Sequence, residues 1–214
     1  MTLDRHAPPR KLAVMRFLIC LLMMTGPVLA DACTDSPRAF WSVACDAPAP
    51  RAIALEMEAL ISAIRDNPLQ SPGTWAAHGL RAEMIYQTLN ACLPQDLPVA
   101  CLTSVAAGYI AELRESPQLP DGYTGLSRTP VDLLCLEYAR PFRLTRLDTD
   151  PAMIWIAPGY ALLERDLAAR NVVYGGMGAA GTIDLGILPS GQVVLTGLSD
   201  RPMPCMIMDE TALR

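Results

Sequence analysis

Residues 135–205 read CLEYARPFRLTRLDTDPAMIWIAPGYALLERDLAARNVVYGGMGAAGTIDLGILPSGQVVLTGLSDRPMPC, and this stretch decides the fold. Short apolar runs alternate in it with turns rich in Pro, Gly and Asp, such as Pro158-Gly159 and Pro189-Ser190-Gly191. Many short strands separated by regular turn signals are typical of an antiparallel sandwich or a small barrel. The sequence therefore predicts eight strands, at 132–138, 141–147, 152–157, 160–164, 171–174, 182–188, 192–196 and 203–208.

The N-terminus has the layout of a secretory signal peptide. Arg10, Lys11 and Arg16 precede an apolar run at 17–24, and a small-residue cleavage site ends at Ala30. The apolar run is too short to span a bilayer. We expect residues 1–30 to be removed, with Met15 as an alternative start of translation, and the remaining protein to have no integral membrane span. The expected location is the periplasm or the outside of the cell.

Six cysteines follow the predicted signal, and an even number in an exported chain predicts three disulfide bonds. Cys135 and Cys205 are the two in the strand-rich half, so we expect them to pair. Cys33, Cys45, Cys92 and Cys101 then pair among themselves in one of three ways. No CxxC or CxxCH is present, which argues against a redox centre, a zinc ribbon or covalent haem. We expect no metal and no cofactor.

The first half is helical by its pattern, with helices predicted at 51–67, 75–93 and 101–114 and with Thr74 as an N-cap. The fold class is therefore α+β, in which a disulfide-stapled helical domain precedes an antiparallel sandwich or small β-barrel of eight strands. The predicted divisions are a signal at 1–30, a Cys-rich helical domain at 31–116, a Pro/Gly linker at 117–130, the barrel at 131–210 and a tail at 211–214. The clearest helical stripe consists of Ile53, Met57, Leu60, Ile61 and Ile64.

Charge limits the classes of partner. The whole chain has 17 basic and 22 acidic residues, and residues 1–30 hold four of the bases and one of the acids. The exported chain would therefore carry 13 basic and 21 acidic residues, a net charge of −8. Nucleic-acid binding needs clustered Lys and Arg side chains, so we expect no nucleic-acid partner. An acidic protein attracts a cationic one, although ordinary solubility also accounts for such a charge.

The sequence offers little for catalysis. His78 is the single histidine after residue 30, and no G-x-S-x-G motif accompanies it. The glycine-rich run at 175–181 lacks the Lys-Ser/Thr and the helix start of a phosphate-binding loop, so it is interpreted as a flexible loop between strands. We expect no catalytic residues and a protein that is not an enzyme.

The segment from Leu133-Leu134-Cys135 to Pro204-Cys205-Met206 resembles the lysozyme-inhibitor family typified by the membrane-bound inhibitor of C-type lysozyme (MliC). That family begins and ends with a Cys-bearing strand, and the resemblance implies an eight-stranded antiparallel barrel. Residues 168–174, AARNVVY, match a family stretch like Ser-Ala-Ser-Gly that ends in a tyrosine. Residues 188–191, LPSG, match a stretch like Trp-x-Lys-Gly.

The same resemblance implies where a partner binds. In the family, a serine and a lysine enter the lysozyme cleft and meet its catalytic carboxylates, which a cation neutralises. In this chain the serine positions hold Ala168 and Arg170, and the lysine position holds Ser190. The partner-binding residues that the resemblance implies are Arg170, Asn171, Tyr174 and Ser190, with Arg170 as the candidate cation.

The helical half resembles the LprI-like family, a small exported helical unit that cysteines staple. Cys101-Leu102, Ile110 and Leu113 match its closing pattern, and Cys33, Cys45, Cys92 and Cys101 would be its four cysteines. Both resemblances imply an exported lysozyme-inhibitor-like protein that binds and blocks a cationic C-type lysozyme, or a similar cationic protein, through barrel loops. The alternative is a non-inhibitory periplasmic binding or envelope-structural module on the same scaffold, which the missing serine and lysine favour.

Overall fold

The structure, a computed structural model, describes Cys33 and residues 38–136, 138–158, 160–178 and 181–208. The predicted signal peptide at 1–30 and the predicted tail at 211–214 lie outside the described residues. Within those residues, four helices precede eight strands. The helices are α1 (Ala39–Ala44), α2 (Pro48–Arg65), α3 (Pro72–Asn90) and α4 (Pro98–Arg114).

Each of the three long helices begins at a proline, three residues before the predicted start. Proline suits the first helical position because its missing N–H would have no partner there and its φ is already helical. The N-cap of α3 is Ser71, whose side chain accepts a hydrogen bond from the Thr74 N–H at 3.2 Å. The prediction of Thr74 as the N-cap was therefore wrong, because Pro72 extends the helix back to Ser71.

The helical core forms around the predicted stripe. Its five members on α2 are at most 5% exposed, as the pattern predicted. The short helix α1, which the sequence did not predict, adds Phe40 and Trp41 to this core. Glu58 ties α1 to α3, since its carboxylate accepts from Trp41 Nε1 and from the Tyr86 hydroxyl, both at 2.8 Å. Disulfide bonds join Cys33 to Cys45 and Cys92 to Cys101.

The strands form a closed barrel in which every strand is antiparallel to both neighbours, as predicted. Cys135 lies directly opposite Cys205 on the first and last strands, and a disulfide bond joins them. This confirms the predicted pairing, and closing so long a loop stabilises the barrel by about 4 kcal/mol in the chain-entropy model. The strands are β1 (Val131–Cys135), β2 (Phe142–Leu147), β3 (Met153–Ala157), β4 (Ala161–Asp166), β5 (Val172–Gly178), β6 (Gly181–Ile187), β7 (Val193–Thr196) and β8 (Met203–Ile207).

The helices cover one outer face of the barrel. Alternate residues of β2, such as Phe142 and Leu144, fill the barrel interior, while Leu147 faces outward into the helical core. On β3 the outward Met153 and Trp155 belong to that same helical core. A Cβ at Gly108 of α4 would lie 3.0 Å from the Trp155 ring, so glycine lets the helix approach the indole closely. Helices and barrel therefore form one compact unit.

The described residues of the glycine-rich run, 175–178 and 181, lie in strands and not in the flexible loop that the sequence predicted. Gly175, Gly176 and Gly178 lie in β5 and pair with β6. A Cβ at Gly176 would lie 2.3 Å from the carbonyl oxygen of Leu162, so only glycine lets β5 pass the neighbouring strand β4 there. The glycines that resemble a loop are thus needed because the backbones of β5 and β4 approach each other closely within the sheet.

The segment at 117–130 bonds to both the helical domain and the barrel. The Glu56 carboxylate of α2 is 5% exposed and accepts hydrogen bonds from the backbone N–H groups of Leu126 at 2.8 Å and Ser127 at 3.1 Å, and from the Ser127 hydroxyl. Ser127 also forms an isolated β-bridge with Leu147 of β2. Burial raises the pKa of Tyr123 to about 12, and the negative charge of Glu56 adds to this effect. The connection between the halves is therefore packed and hydrogen-bonded.

Replacing Glu56 with glutamine should destabilise the protein, because the amide keeps one acceptor oxygen but turns the other into an NH2 group that faces a buried donor. We expect Glu56→Gln to lower the free energy of unfolding by about 2–3 kcal/mol. Denaturant unfolding of the disulfide-intact protein measures this. Glu83→Gln, an exposed substitution of the same chemistry on α3, is the matched control. Equal stability of the two variants would contradict a structural role for Glu56.

Candidate functional site

Two hairpin connections meet at one end of the barrel. The β4–β5 connection at 167–171 and the β6–β7 connection at 188–192 emerge at the same end, because β4 and β6 run in the same direction in this antiparallel barrel. A cavity of about 440 Å³ opens between them. We call it the barrel-end cleft, and its lining residues are Arg165, Arg170, Asn171, Val172, Ile187, Leu188, Pro189 and Gly191.

Local backbone bonding shapes both connections. After β4, the Asp166 carboxylate accepts a hydrogen bond from the Ala168 N–H at 2.8 Å, which turns the chain at once. In the second connection, the Leu188 N–H bonds to the Gln192 carbonyl and the Gly191 N–H to the Leu188 carbonyl, both at 2.9 Å. Gly191 has a φ of 83°, a conformation that favours glycine. Short-range turn chemistry therefore sets the form of the cleft.

Three of the four predicted partner-binding residues lie at this cleft. Arg170 and Asn171 are exposed and line it. Ser190 is exposed between two lining residues, and its Oγ accepts a hydrogen bond from the Gln192 N–H at 3.4 Å. The structure thus brings parts of the two matched stretches together, residues 170–172 and 188–191.

Tyr174 lies elsewhere. Its side chain is 1% exposed and belongs to the barrel core with Leu163 and Leu185. The alternation of β5 explains this position, since Tyr174 pairs with Leu185 of β6, another interior residue. A partner bound at the barrel surface does not reach this side chain. Tyr174 instead supports the cleft by filling the barrel interior.

Arg165 is a cleft residue that the sequence analysis missed. Ala161 and Leu163 on β4 are buried in the barrel core, and Arg165 is the next residue on the same face of the strand. Its side chain therefore lies at the mouth of the barrel, where it lines the cleft beside Arg170. The period-two pattern of 161, 163 and 165 could have placed it there, since an inward-facing arginine is tolerated only at a barrel end.

The two cleft arginines differ from Arg143 and Arg128, whose charges are paired. Arg143 pairs with Asp132 at 2.6 Å and with Glu115, and Arg128 pairs with Asp148. In the part of the chain that the structure describes, no carboxylate lies within ion-pair distance of Arg165 or Arg170. Guanidinium groups bind carboxylates through paired hydrogen bonds. The cleft can therefore accept carboxylates from outside the protein.

His78 lies in α3 and does not line the cleft. Its Nε2 is 3.2 Å from the carbonyl oxygen of Ile61, a contact that ties α3 to α2. Within the described segments, no three His, Cys, Asp or Glu side chains gather in positions that would hold a metal ion. Among the same residues, no helix combines the length and the apolar composition of a membrane span.

Comparison with known proteins adds no relative: no family model, no curated protein and no solved structure matches this chain. The sequence residues named above are therefore the support for the two family resemblances.

Truncating Tyr174 should damage the barrel and not a binding surface. We expect Tyr174→Ala to lower the free energy of unfolding by about 3–5 kcal/mol, the cost of removing a large buried aromatic ring. Tyr174→Phe keeps the ring and should stay within about 1 kcal/mol of the parent. Denaturant unfolding of the oxidised proteins compares the three. A fully stable Tyr174→Ala variant would contradict the interior position.

Proposed function

We propose that this protein is an exported lysozyme-inhibitor-like protein that binds a cationic C-type lysozyme and blocks its active site with the loops of the barrel-end cleft. The observation that carries this proposal is the pair Arg165 and Arg170, which share one cleft and have no carboxylate partner among the described residues. Arg170, Asn171 and Gly191, from the two stretches that resemble the MliC family, line the same cleft.

The chemistry of the target explains why arginine suits this role. Most glycoside hydrolases, lysozyme included, work with two carboxyl groups that flank the scissile bond. A guanidinium group binds a carboxylate with two parallel hydrogen bonds and keeps its charge at any physiological pH. Arg170 occupies a family serine position, and Arg165 supplies a second cation where the family's lysine is replaced by Ser190. The cleft would thus present two cations to two carboxylates.

Charge over longer distances supports encounter with a cationic enzyme. Without residues 1–30 the chain has a net charge of −8, which attracts a positively charged protein from a distance. Complementary charge raises the association rate more than the affinity and is screened by salt. The acidic surface would steer the partner, and the two cleft arginines would bind the carboxylates within its active site.

The disulfide bonds bear on location. The three bonds are consistent with an oxidising compartment, in which such bonds form and persist. The proposal places the protein in the periplasm or outside the cell after loss of residues 1–30. A C-type lysozyme of a host or predator would meet it there.

A second candidate function is binding without inhibition, as a periplasmic or envelope-structural module. Its support is the replacement of the family serine and lysine by Ala168 and Ser190. A hydroxyl in place of a lysine cannot neutralise a carboxylate. In this case the partner would associate with the barrel while its active site stays open.

Inhibition of a C-type lysozyme by the purified oxidised protein tests the proposal. We expect stoichiometric inhibition that weakens with salt, and the double variant Arg165→Ala/Arg170→Ala should raise the inhibition constant at least about 30-fold. The reason is that truncating one member of a buried interface charge pair costs about 2 kcal/mol or more. The measurement is residual lysozyme activity against inhibitor concentration at low and physiological salt.

The matched control is Arg140→Ala/Arg201→Ala, which removes the same charge from loops at the opposite end of the barrel. It should inhibit nearly as well as the parent. Equal losses in both double variants would mean that net charge alone matters and would contradict the cleft. Binding of lysozyme without loss of its activity would favour the non-inhibitory module.

A further inference from the structure

A second cavity lies where the helices meet the barrel. It has a volume of about 500 Å³, within the range of sites that hold one small molecule. Its walls are α4 on one side and the outer face of β2 and β3 on the other, and we call it the interface cavity. The apolar and aromatic part of the lining includes Val105, Gly108, Tyr109, Trp155, Ala157 and Tyr160.

Thr145 places an unpartnered polar atom in this lining. It is 0% exposed, and among the described residues its hydroxyl has no hydrogen-bond partner. It pairs with Trp155 across β2 and β3, and both residues line the interface cavity on the outer face of the barrel. A buried hydroxyl without a partner costs stability, so such groups are rare and often mark a site for a ligand or water.

Tyr160 is a second unusual residue of the lining. Its φ is +46°, the left-handed region that a residue with a side chain seldom adopts, and its side chain is 69% exposed. Its ring centre lies 6.4 Å from that of Trp155. Strained backbone that holds an exposed aromatic ring beside a cavity is a recurrent feature of ligand sites. The ring thus forms an apolar wall of the cavity that is open to solvent.

The charged residues of the lining are already neutralised. Arg143 pairs with Asp132 and Glu115, and Glu112 pairs with Arg81. A charged ligand group would have to compete with these pairs. The lining therefore favours an uncharged ligand with an apolar body that packs on Trp155 and Tyr160.

We propose that the interface cavity binds an uncharged small molecule with a planar apolar body and one hydroxyl-like group that hydrogen-bonds to Thr145. This site is separate from the barrel-end cleft and does not depend on lysozyme inhibition. The planar body follows from the aromatic walls and the single polar group from the one unpartnered hydroxyl. The Thr145 hydroxyl can donate or accept, so the ligand group meets it in either role.

Two probes that differ in one group test the proposal. The first is 2-naphthol, uncharged at pH 7, and the second is 2-methylnaphthalene, which has the same ring system without the hydroxyl. We expect saturable binding of both to the oxidised protein, with 2-naphthol bound about fivefold more tightly. The measurement is nitrogen–proton NMR, in which the indole N–H of Trp155 should shift and that of Trp75, which does not line the cavity, should not.

The variant Thr145→Val isolates the hydrogen bond. It keeps the shape of the side chain, and because the hydroxyl has no partner its removal should not lower the melting temperature. We expect the preference for 2-naphthol to vanish while 2-methylnaphthalene still binds. Thr196→Val is the matched control, since Thr196 lies on β7 outside the lining and bonds to the Asp184 carbonyl. It should keep the preference.

A second variant, Tyr160→Asn, removes the aromatic wall with a residue that tolerates a positive φ. It should weaken both probes by the same factor without lowering the melting temperature. The proposal is overturned if neither probe binds saturably, or if Thr145→Val keeps the full preference for 2-naphthol. Shifts of Trp75 in place of Trp155 would overturn it equally, because they would place the probes elsewhere.

Discussion

The burial of β3 on both of its faces is the constraint on which the structure depends. Ile154 and Ile156 point into the barrel, while Met153 and Trp155 point outward into the helical core. A strand of a small barrel ordinarily alternates between core and solvent. Here the outer residues need the helices as cover, and the helices need this sheet face to complete their own core. Small halves of this kind gain stability by sharing apolar surface.

This shared face also explains where polar groups are found. Glu56 is buried at the junction because it satisfies the backbone of the segment that joins helices to barrel. Thr145 lies on the covered face without such a partner. The barrel-end cleft, which no helix residue lines, contains Arg165 and Arg170, whose charges no described carboxylate neutralises. The barrel face that the helices cover thus contributes to the stability of the protein. The candidate protein-binding surface is the cleft at the end of the barrel.

The secondary structure followed from local signals in most of the chain. Turns rich in Pro, Gly and Asp bounded the strands, and the stripe from Ile53 to Ile64 placed α2. The failures have specific physical reasons. A six-residue helix such as α1 is too short to show a period. Gly176 resembled a loop residue because glycine is favoured in turns, whereas here it relieves a contact with the Leu162 carbonyl.

The sequence by itself determined the order of elements and the pairing of Cys135 with Cys205, because these depend on local turn chemistry and on which cysteines share the strand-rich half. Its strand pattern allowed a sandwich or a barrel, and the structure decided for the closed barrel. The family resemblance named Arg170, Asn171 and Ser190, and the structure places them in connections at one end of the barrel. Only the tertiary structure decided that Arg165 joins them, that Tyr174 lies inside the barrel, and that Thr145 lines a cavity against α4. The physical reason is that these outcomes depend on which element covers each face of a strand. Alternation along the chain separates the two faces but does not show which element packs on each of them.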